Sequence, residues 1–98
     1  SRQRIAQWPE VPAIAQVLPG YESSAWFGLF APARMDAALV WRLSDAARQA
    51  VHTAEVRRRI ENDGAAAVGN SPEEFARFVQ SEIERWGKVV RYSGAKPE

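Results

Sequence analysis

The 98-residue sequence contains no cysteine and a single histidine, His52. Without cysteine the chain has no disulfide, no thiol nucleophile and no cysteine-based metal site, although cysteine-free chains occur in reducing and oxidising compartments alike. A single histidine also leaves a conventional zinc site without a second imidazole. We expect His52 to interact with the last carbonyl groups of a helix, and we predict no metal and no other cofactor.

An excess of charge is also missing. Thirteen Lys and Arg residues against twelve Asp and Glu residues give a formal net charge of +1, whereas proteins that bind phosphate backbones carry a clear basic excess. We therefore predict that nucleic acid is not a partner of this chain.

No stretch approaches the ~20 consecutive apolar residues of a membrane span, and residues 1–8 lack the apolar centre of a signal peptide. If the protein is exported, its signal peptide is expected upstream of Ser1. The opening Ser1-Arg2-Gln3-Arg4, without an initiator Met, fits a chain excised from a longer one, or else a tag residue and processing.

Residue patterns that would support catalysis are absent as well. The pair Ser23-Ser24 has no Gly-x-Ser-x-Gly context, and its simplest interpretation is a turn. The pair Glu73-Glu74 falls in the first turn of a predicted helix, where negative charge stabilises free N–H groups. The run 57–59 consists of three arginines, which on a helix point about 100° apart and form a solvated face. We predict no enzyme and no catalytic residue; ligand-binding residues stay unknown.

What the sequence does have is the composition of a soluble globular domain, with 46% hydrophobic and 26% charged residues. We treat residues 1–98 as a single segment, because so short a chain supports one thin core at most. If the segment is part of a longer protein, some of its apolar surface needs a partner.

The first third of the chain predicts short elements between prolines. Residues 13–17 fit one or two helical turns, and Leu18-Pro19-Gly20-Tyr21 has Pro and Gly at the central positions of a type II turn. Residues 24–31 are rich in aromatic side chains and predict a strand covered on both faces. Gly28 within it indicates either a bulge or a close approach by another backbone or a ligand, with packing the simpler explanation.

Helices are predicted for most of the remainder. Asp36 can cap a helix that runs to about residue 53, and a second helix is predicted over 54–62. Residues 65–69 can form a very short strand or an extended link. Ser71-Pro72-Glu73-Glu74 is a capping box with Pro at the first helical position. A third long helix therefore begins there and ends near Gly94. Its apolar stripe consists of Phe75, Phe78, Val79, Ile83, Trp86 and Val90.

These blocks together resemble the end of a Bug-type receptor, the solute-capturing component of tripartite tricarboxylate transporters. The matching blocks are Pro9-Glu10-Val11-Pro12-Ala13, Leu18-Pro19-Gly20-Tyr21-Glu22, Trp26-Phe27-Gly28-Leu29-Phe30-Ala31-Pro32-Ala33, Ser71-Pro72-Glu73-Glu74-Phe75 and the tail from Glu84. The family's usual Gly-Thr-Pro after Ala-Pro-Ala is replaced here by Arg34-Met35-Asp36. This exchange changes how the chain enters the first long helix.

The resemblance implies an α/β fragment that is predominantly helical, a short strand plus three helices, forming the C-terminal part of the first lobe of a two-lobed periplasmic binding protein. It implies a small carboxylate ligand, a membrane permease as partner and a periplasmic location. In the family the ligand is held mainly by upstream loops and helix N-termini, so no ligand contact is assigned within this segment.

The alternative is a free-standing small helical module that binds other proteins through its aromatic strand and exposed tryptophans. An upstream signal peptide and two Rossmann-like segments in the reading frame would support the receptor, and a start codon next to Ser1 would support the module. As a fragment, the chain is expected to self-associate.

Overall fold

The computed structural model describes residues 2–96, and within them the chain is predominantly helical, as predicted. Its four helices are α1 (Ile14–Val17), α2 (Ala37–Val51), α3 (Ala54–Asn62) and α4 (Pro72–Ser93). Helix α2 contacts both α3 and α4, so the three longer helices form one packed group.

Helix α4 begins where the capping box predicts. Ser71 is the N-cap, and its Oγ accepts a hydrogen bond from the Glu74 backbone N–H at 3.2 Å. The Ser71 N–H in turn donates to Glu74 Oε2 at 2.8 Å. The hydrogen bond from the Ser71 N–H to the carboxylate is the main cause that holds the pKa of Glu74 below its ordinary value, and the Ser71 side chain adds to it. At the other end, Gly94 adopts a left-handed φ of 69°, which stops the helix.

Helices α2 and α3 also follow the sequence signals. Asp36 caps α2 by accepting from the N–H groups of Ala38 at 2.9 Å and Leu39 at 3.3 Å. Helix α3 follows after Thr53, and residues 65–70 are an irregular link to α4 rather than a strand. The turn predicted at residues 18–21 is present, because the Tyr21 N–H donates to the Leu18 carbonyl at 3.1 Å and Gly20 has φ 86°.

The predicted strand over residues 24–31 is wrong as a strand, since no residue in 2–96 belongs to a β-ladder. Residues 23–31, here called the extended segment, instead pack one side against α4. A strand exists only through hydrogen bonds to a second strand, and among the described residues no backbone group of 24–31 is hydrogen-bonded to another backbone group. Ser23 and Ser24 belong to this segment and do not form the turn expected for them.

The core is very small. Ala13 is the one buried apolar residue in the described range, whereas Phe27 is 99% and Leu29 73% exposed. The Cα radius of gyration is 16.5 Å, against about 13 Å for a compact chain of this length. The fold thus leaves much of its apolar surface uncovered.

Candidate functional site

The most connected polar group in the described chain is the carboxylate of Glu82, which is only 8% exposed. Its Oε2 accepts from the indole N–H of Trp26 at 3.2 Å and from that of Trp86 at 3.1 Å. Arg85 Nη2 contacts Oε1 at 2.7 Å and Oε2 at 2.9 Å. Trp86 and Arg85 meet Glu82 because they lie four and three residues further along the same helix face.

Glu22 extends this group to the loop before the extended segment. Arg85 Nη1 lies 3.4 Å from Glu22 Oε2 and also donates to the Glu22 carbonyl at 3.4 Å. Arg2 pairs with the same carboxylate at 2.7 Å. The guanidinium of Arg85 lies over the Trp86 ring, with its carbon 5.3 Å from the ring centroid. We call Glu22, Trp26, Glu82, Arg85 and Trp86 the carboxylate cluster.

An aromatic layer lies beside the carboxylate cluster. Trp26 makes edge contacts with Phe75 and Phe78, at centroid distances of 5.8 and 5.2 Å, and Phe30 lies 5.2 Å from Phe75. The Phe75 ring fills the space over Gly28, where an added Cβ would lie 2.2 Å from Cζ. The packing explanation for Gly28 is therefore confirmed, although the atoms that approach it belong to a side chain rather than to another backbone or a ligand.

The carboxylate cluster serves to hold parts of the chain in position. Donors from three side chains already occupy both oxygens of Glu82. No nucleophilic side chain belongs to the cluster. Its effect is to hold the extended segment against α4 by a charged acceptor that two indole donors share.

The other residues singled out from the sequence do not join this cluster. The ring of His52 lies beside Gly69, where an added Cβ would be 3.0 Å from Nε2, while the His52 backbone N–H donates to the Arg48 and Ala50 carbonyls. Arg57 and Arg59 pair with Glu61 and Glu55 on the exposed face of α3. Their separate pairings agree with the prediction of a solvated face.

Two concave surfaces occur near the N-terminal residues. One is a cavity of about 100 Å³ lined by apolar side chains that include Ile5, Trp8 and Val11. The other is an open groove of about 730 Å³ between residues 4–7 and the end of α3. Arg57 in this groove is already paired with Glu61, and Arg4 donates to Gln16 and to the Pro9 carbonyl. Both partners of Arg4 are neutral, and none of the ion pairs among residues 2–96 includes it.

Two further features are absent from residues 2–96. No group of three or more His, Asp or Glu side chains lies close enough together to hold a metal ion. None of the helices is both long and apolar enough to cross a membrane.

Comparison with known proteins decides the family. Residues 1–95 match the family described as tripartite tricarboxylate transporter family receptor, TctC. The chain belongs to this family. The resemblance drawn from the sequence blocks is confirmed, and a non-catalytic chain agrees with the receptor description of the TctC family.

Three curated relatives match most of the chain. A UPF0065 protein encoded in the tcbD-tcbE intergenic region of Pseudomonas sp. strain P51 is 37% identical over 92 residues, 92% of this chain and 27% of that protein. Another, from the clcB-clcD intergenic region of Pseudomonas knackmussii, is 34% identical over 92% of this chain and 54% of its own length. Protein BugT of Bordetella pertussis is 32% identical over 98% of this chain and 30% of its own length.

The chain therefore spans between about a quarter and about half of the relatives it matches. No solved structure matches it.

Proposed function

We propose that this chain is the C-terminal part of the first lobe of a periplasmic TctC receptor, which binds a small carboxylate solute for uptake by a tripartite tricarboxylate transporter. The observation that carries the proposal is the family match over residues 1–95. In this role the remainder of the receptor supplies the ligand-binding loops, the export signal and the contact with the membrane permease.

The exposed apolar surface supports a role within a larger fold. Trp8, Trp41 and Leu29 are 56%, 47% and 73% exposed, and monomeric proteins rarely leave large contiguous apolar patches in water. In a two-lobed receptor, the preceding parts of the same lobe would cover these side chains. The free-standing interaction module is less favoured, because it gives no reason for similarity to a receptor family along nearly the whole chain.

The test is to express the uninterrupted reading frame that contains these 98 codons and to measure solute binding by its product. We expect the product to be secreted to the periplasm and its melting temperature to rise with at least one of citrate, succinate, glutamate and aspartate. The 98-residue chain alone is the control. We expect it to bind none of the four tighter than about 10 μM, which corresponds to roughly 7 kcal/mol, because a concave site must surround its ligand.

Two results would contradict the proposal. One is a reading frame that starts next to Ser1 and whose product stays in the cytoplasm. The other is saturable carboxylate binding by the 98-residue chain itself, which would place a complete site within this segment.

A further inference from the structure

The irregular link between α3 and α4 ends in two residues that can react with each other. Asn70 is followed by Ser71, and asparagine is a thermolabile residue, because the backbone nitrogen of the next residue can attack its side-chain amide carbon. A small next residue such as serine leaves room for the ring that this attack forms. The chain has two asparagines, Asn62 and Asn70, and of these only Asn70 lies outside a helix.

The reaction is a deamidation that needs only water. The Ser71 backbone nitrogen bonds to Cγ of Asn70, and the bond from Cγ to the side-chain nitrogen breaks. The proton of the Ser71 N–H is transferred to that nitrogen, so ammonia leaves and a cyclic imide remains. Water then opens the imide at either carbonyl and gives aspartate or isoaspartate at position 70. The rate therefore depends on how often the Ser71 N–H is free to react.

The capping box of α4 keeps this N–H occupied. It donates to Glu74 Oε2 at 2.8 Å, the length of a hydrogen bond to a charged acceptor. The nitrogen must leave this carboxylate before it can attack, and a negative charge beside it opposes the loss of its proton. The Asn70 side chain is partly exposed and makes no hydrogen bond to any other described residue, so the restraint comes from the Ser71 side of the reaction.

We propose that Asn70 is a deamidation site of this chain and that the carboxylate of Glu74 controls its rate by holding the Ser71 N–H. The reacting and restraining groups lie within residues 70–74, so the proposal does not depend on what covers the apolar surface of the chain. It is also independent of the receptor role. Aspartate at position 70 would add a negative charge at the start of α4, whereas isoaspartate would lengthen the backbone there.

The first test removes the restraint with Glu74→Ala. Ser71 Oγ still accepts the backbone N–H of residue 74 in this variant, because that hydrogen bond needs no side chain at position 74, so α4 keeps its N-cap. Purified protein is incubated at mildly alkaline pH, and peptide mapping by mass spectrometry follows the conversion of Asn70 with time. We expect conversion roughly fivefold or more faster than in the wild type, the factor in opening that a hydrogen bond to a charged group provides.

Glu73→Ala is the matched control. It removes the same charge from the same helical turn but leaves the hydrogen bond from Ser71 to Glu74 in place. Its conversion at Asn70 should differ from that of the wild type by less than about twofold, as expected for an exposed substitution. Circular dichroism compares the helix content of the variants.

Asn62 serves as an internal control in the same peptide maps. The N–H of the next residue, Asp63, donates to the Arg59 carbonyl at 3.3 Å, which neither substitution touches. Conversion at Asn62 should therefore be equal in the wild type and both variants. Conversion that rises at both asparagines would instead reflect general unfolding.

Glu74→Gln keeps the measurement decisive if Glu74→Ala loses helix content. Glutamine can occupy this position of a capping box, and its side-chain carbonyl can still accept from the Ser71 N–H. We expect Asn70 to convert more slowly in Glu74→Gln than in Glu74→Ala.

Three results would overturn the proposal: conversion at Asn70 that is no faster in Glu74→Ala than in Glu73→Ala, a Glu74→Gln variant that converts as fast as Glu74→Ala, or conversion in Glu74→Ala that is faster at Asn62 than at Asn70.

Discussion

A carboxylate on the apolar side of a helix remains there only if donors surround it, and for Glu82 these donors are Trp26, Trp86 and Arg85. Glu82→Gln keeps the size of the side chain but removes its charge. We expect the free energy of unfolding to fall by about 1.5–3 kcal/mol, the usual range for hydrogen bonds to charged groups.

The matched control for this substitution is Glu84→Gln. Glu84 lies two residues further along α4 and has one exposed hydrogen bond, accepted from Gln80 at 3.0 Å. Urea melts of both variants at one protein concentration, followed by tryptophan fluorescence, provide the comparison. Equal midpoints for the two variants would show that the carboxylate cluster does not stabilise the fold.

Ser71 makes a smaller and more local contribution. Its Oγ accepts one of the free N–H groups of the first turn of α4, and replacing such a cap by Ala costs about 1 kcal/mol. Glu73→Ala should have a smaller effect, because Glu73 interacts only with the helix dipole. Urea melts compare the two variants, and identical shifts would mean that α4 does not depend on this cap.

Glu74 adds a pH dependence at the same cap. The hydrogen bond from the Ser71 N–H lowers the pKa of Glu74 from its ordinary value of 4.5. A pKa that is lower in the folded state means stability that is present above pH 4.5 and is lost as the pH falls through the folded pKa. The difference in unfolding free energy between wild type and Glu74→Gln should therefore shrink on acidification. Glu73→Gln, which leaves this hydrogen bond intact, is the control in the same urea melts, and a constant difference would contradict the assignment.

Between the extended segment and α4, contact depends on the absence of a side chain at position 28. Gly28→Ala would put a Cβ 2.2 Å from Phe75 Cζ, and the ring is hemmed in by Trp26, Phe30 and Phe78. We expect a loss of about 1–3 kcal/mol, typical of overpacking, measured as a shift in thermal or urea midpoint.

Gly87→Ala is the contrasting substitution. Gly87 lies within α4, and its added Cβ would be 3.4 Å from Arg91 Nη1, an ordinary contact. Alanine in a helix interior is more favourable than glycine by about 0.5–1 kcal/mol, so this variant should be stabilised. Destabilisation by both substitutions would argue against the packing of Gly28 on Phe75.

The helices could be predicted from the sequence, while the extended segment could be predicted only in part. Asp36, Ser71 and Gly94 act within a few residues of the helix ends they define, so local sequence was sufficient. A strand needs a ladder partner, which no local pattern supplies. Glu82 was missed because one of its donors, Trp26, lies 56 residues away. The sequence did contain one signal for Glu82: its carboxylate lies on the same helix face as Val79 and Trp86, which belong to the predicted apolar stripe.

At the scale of the whole molecule, the radius of gyration of 16.5 Å and the exposed aromatic side chains show that the described chain leaves apolar surface available for contact with other parts of a protein. The family could be predicted because five short blocks occur in a fixed order along the chain. The ligand-binding residues could not, because no group of side chains in the described range forms an enclosed cationic site.

The unpaired backbone of the extended segment also determines how fast its amide protons exchange with solvent. In a single copy, the N–H groups of residues 23–31 should exchange with solvent deuterium far sooner than those of α4, since no backbone acceptor protects them. Once a neighbouring strand is in place, slow exchange should appear at every second residue of the segment, while the residues between them stay fast. Because backbone donors alternate in direction along a strand, this odd-and-even pattern would identify the paired edge without any substitution in the chain.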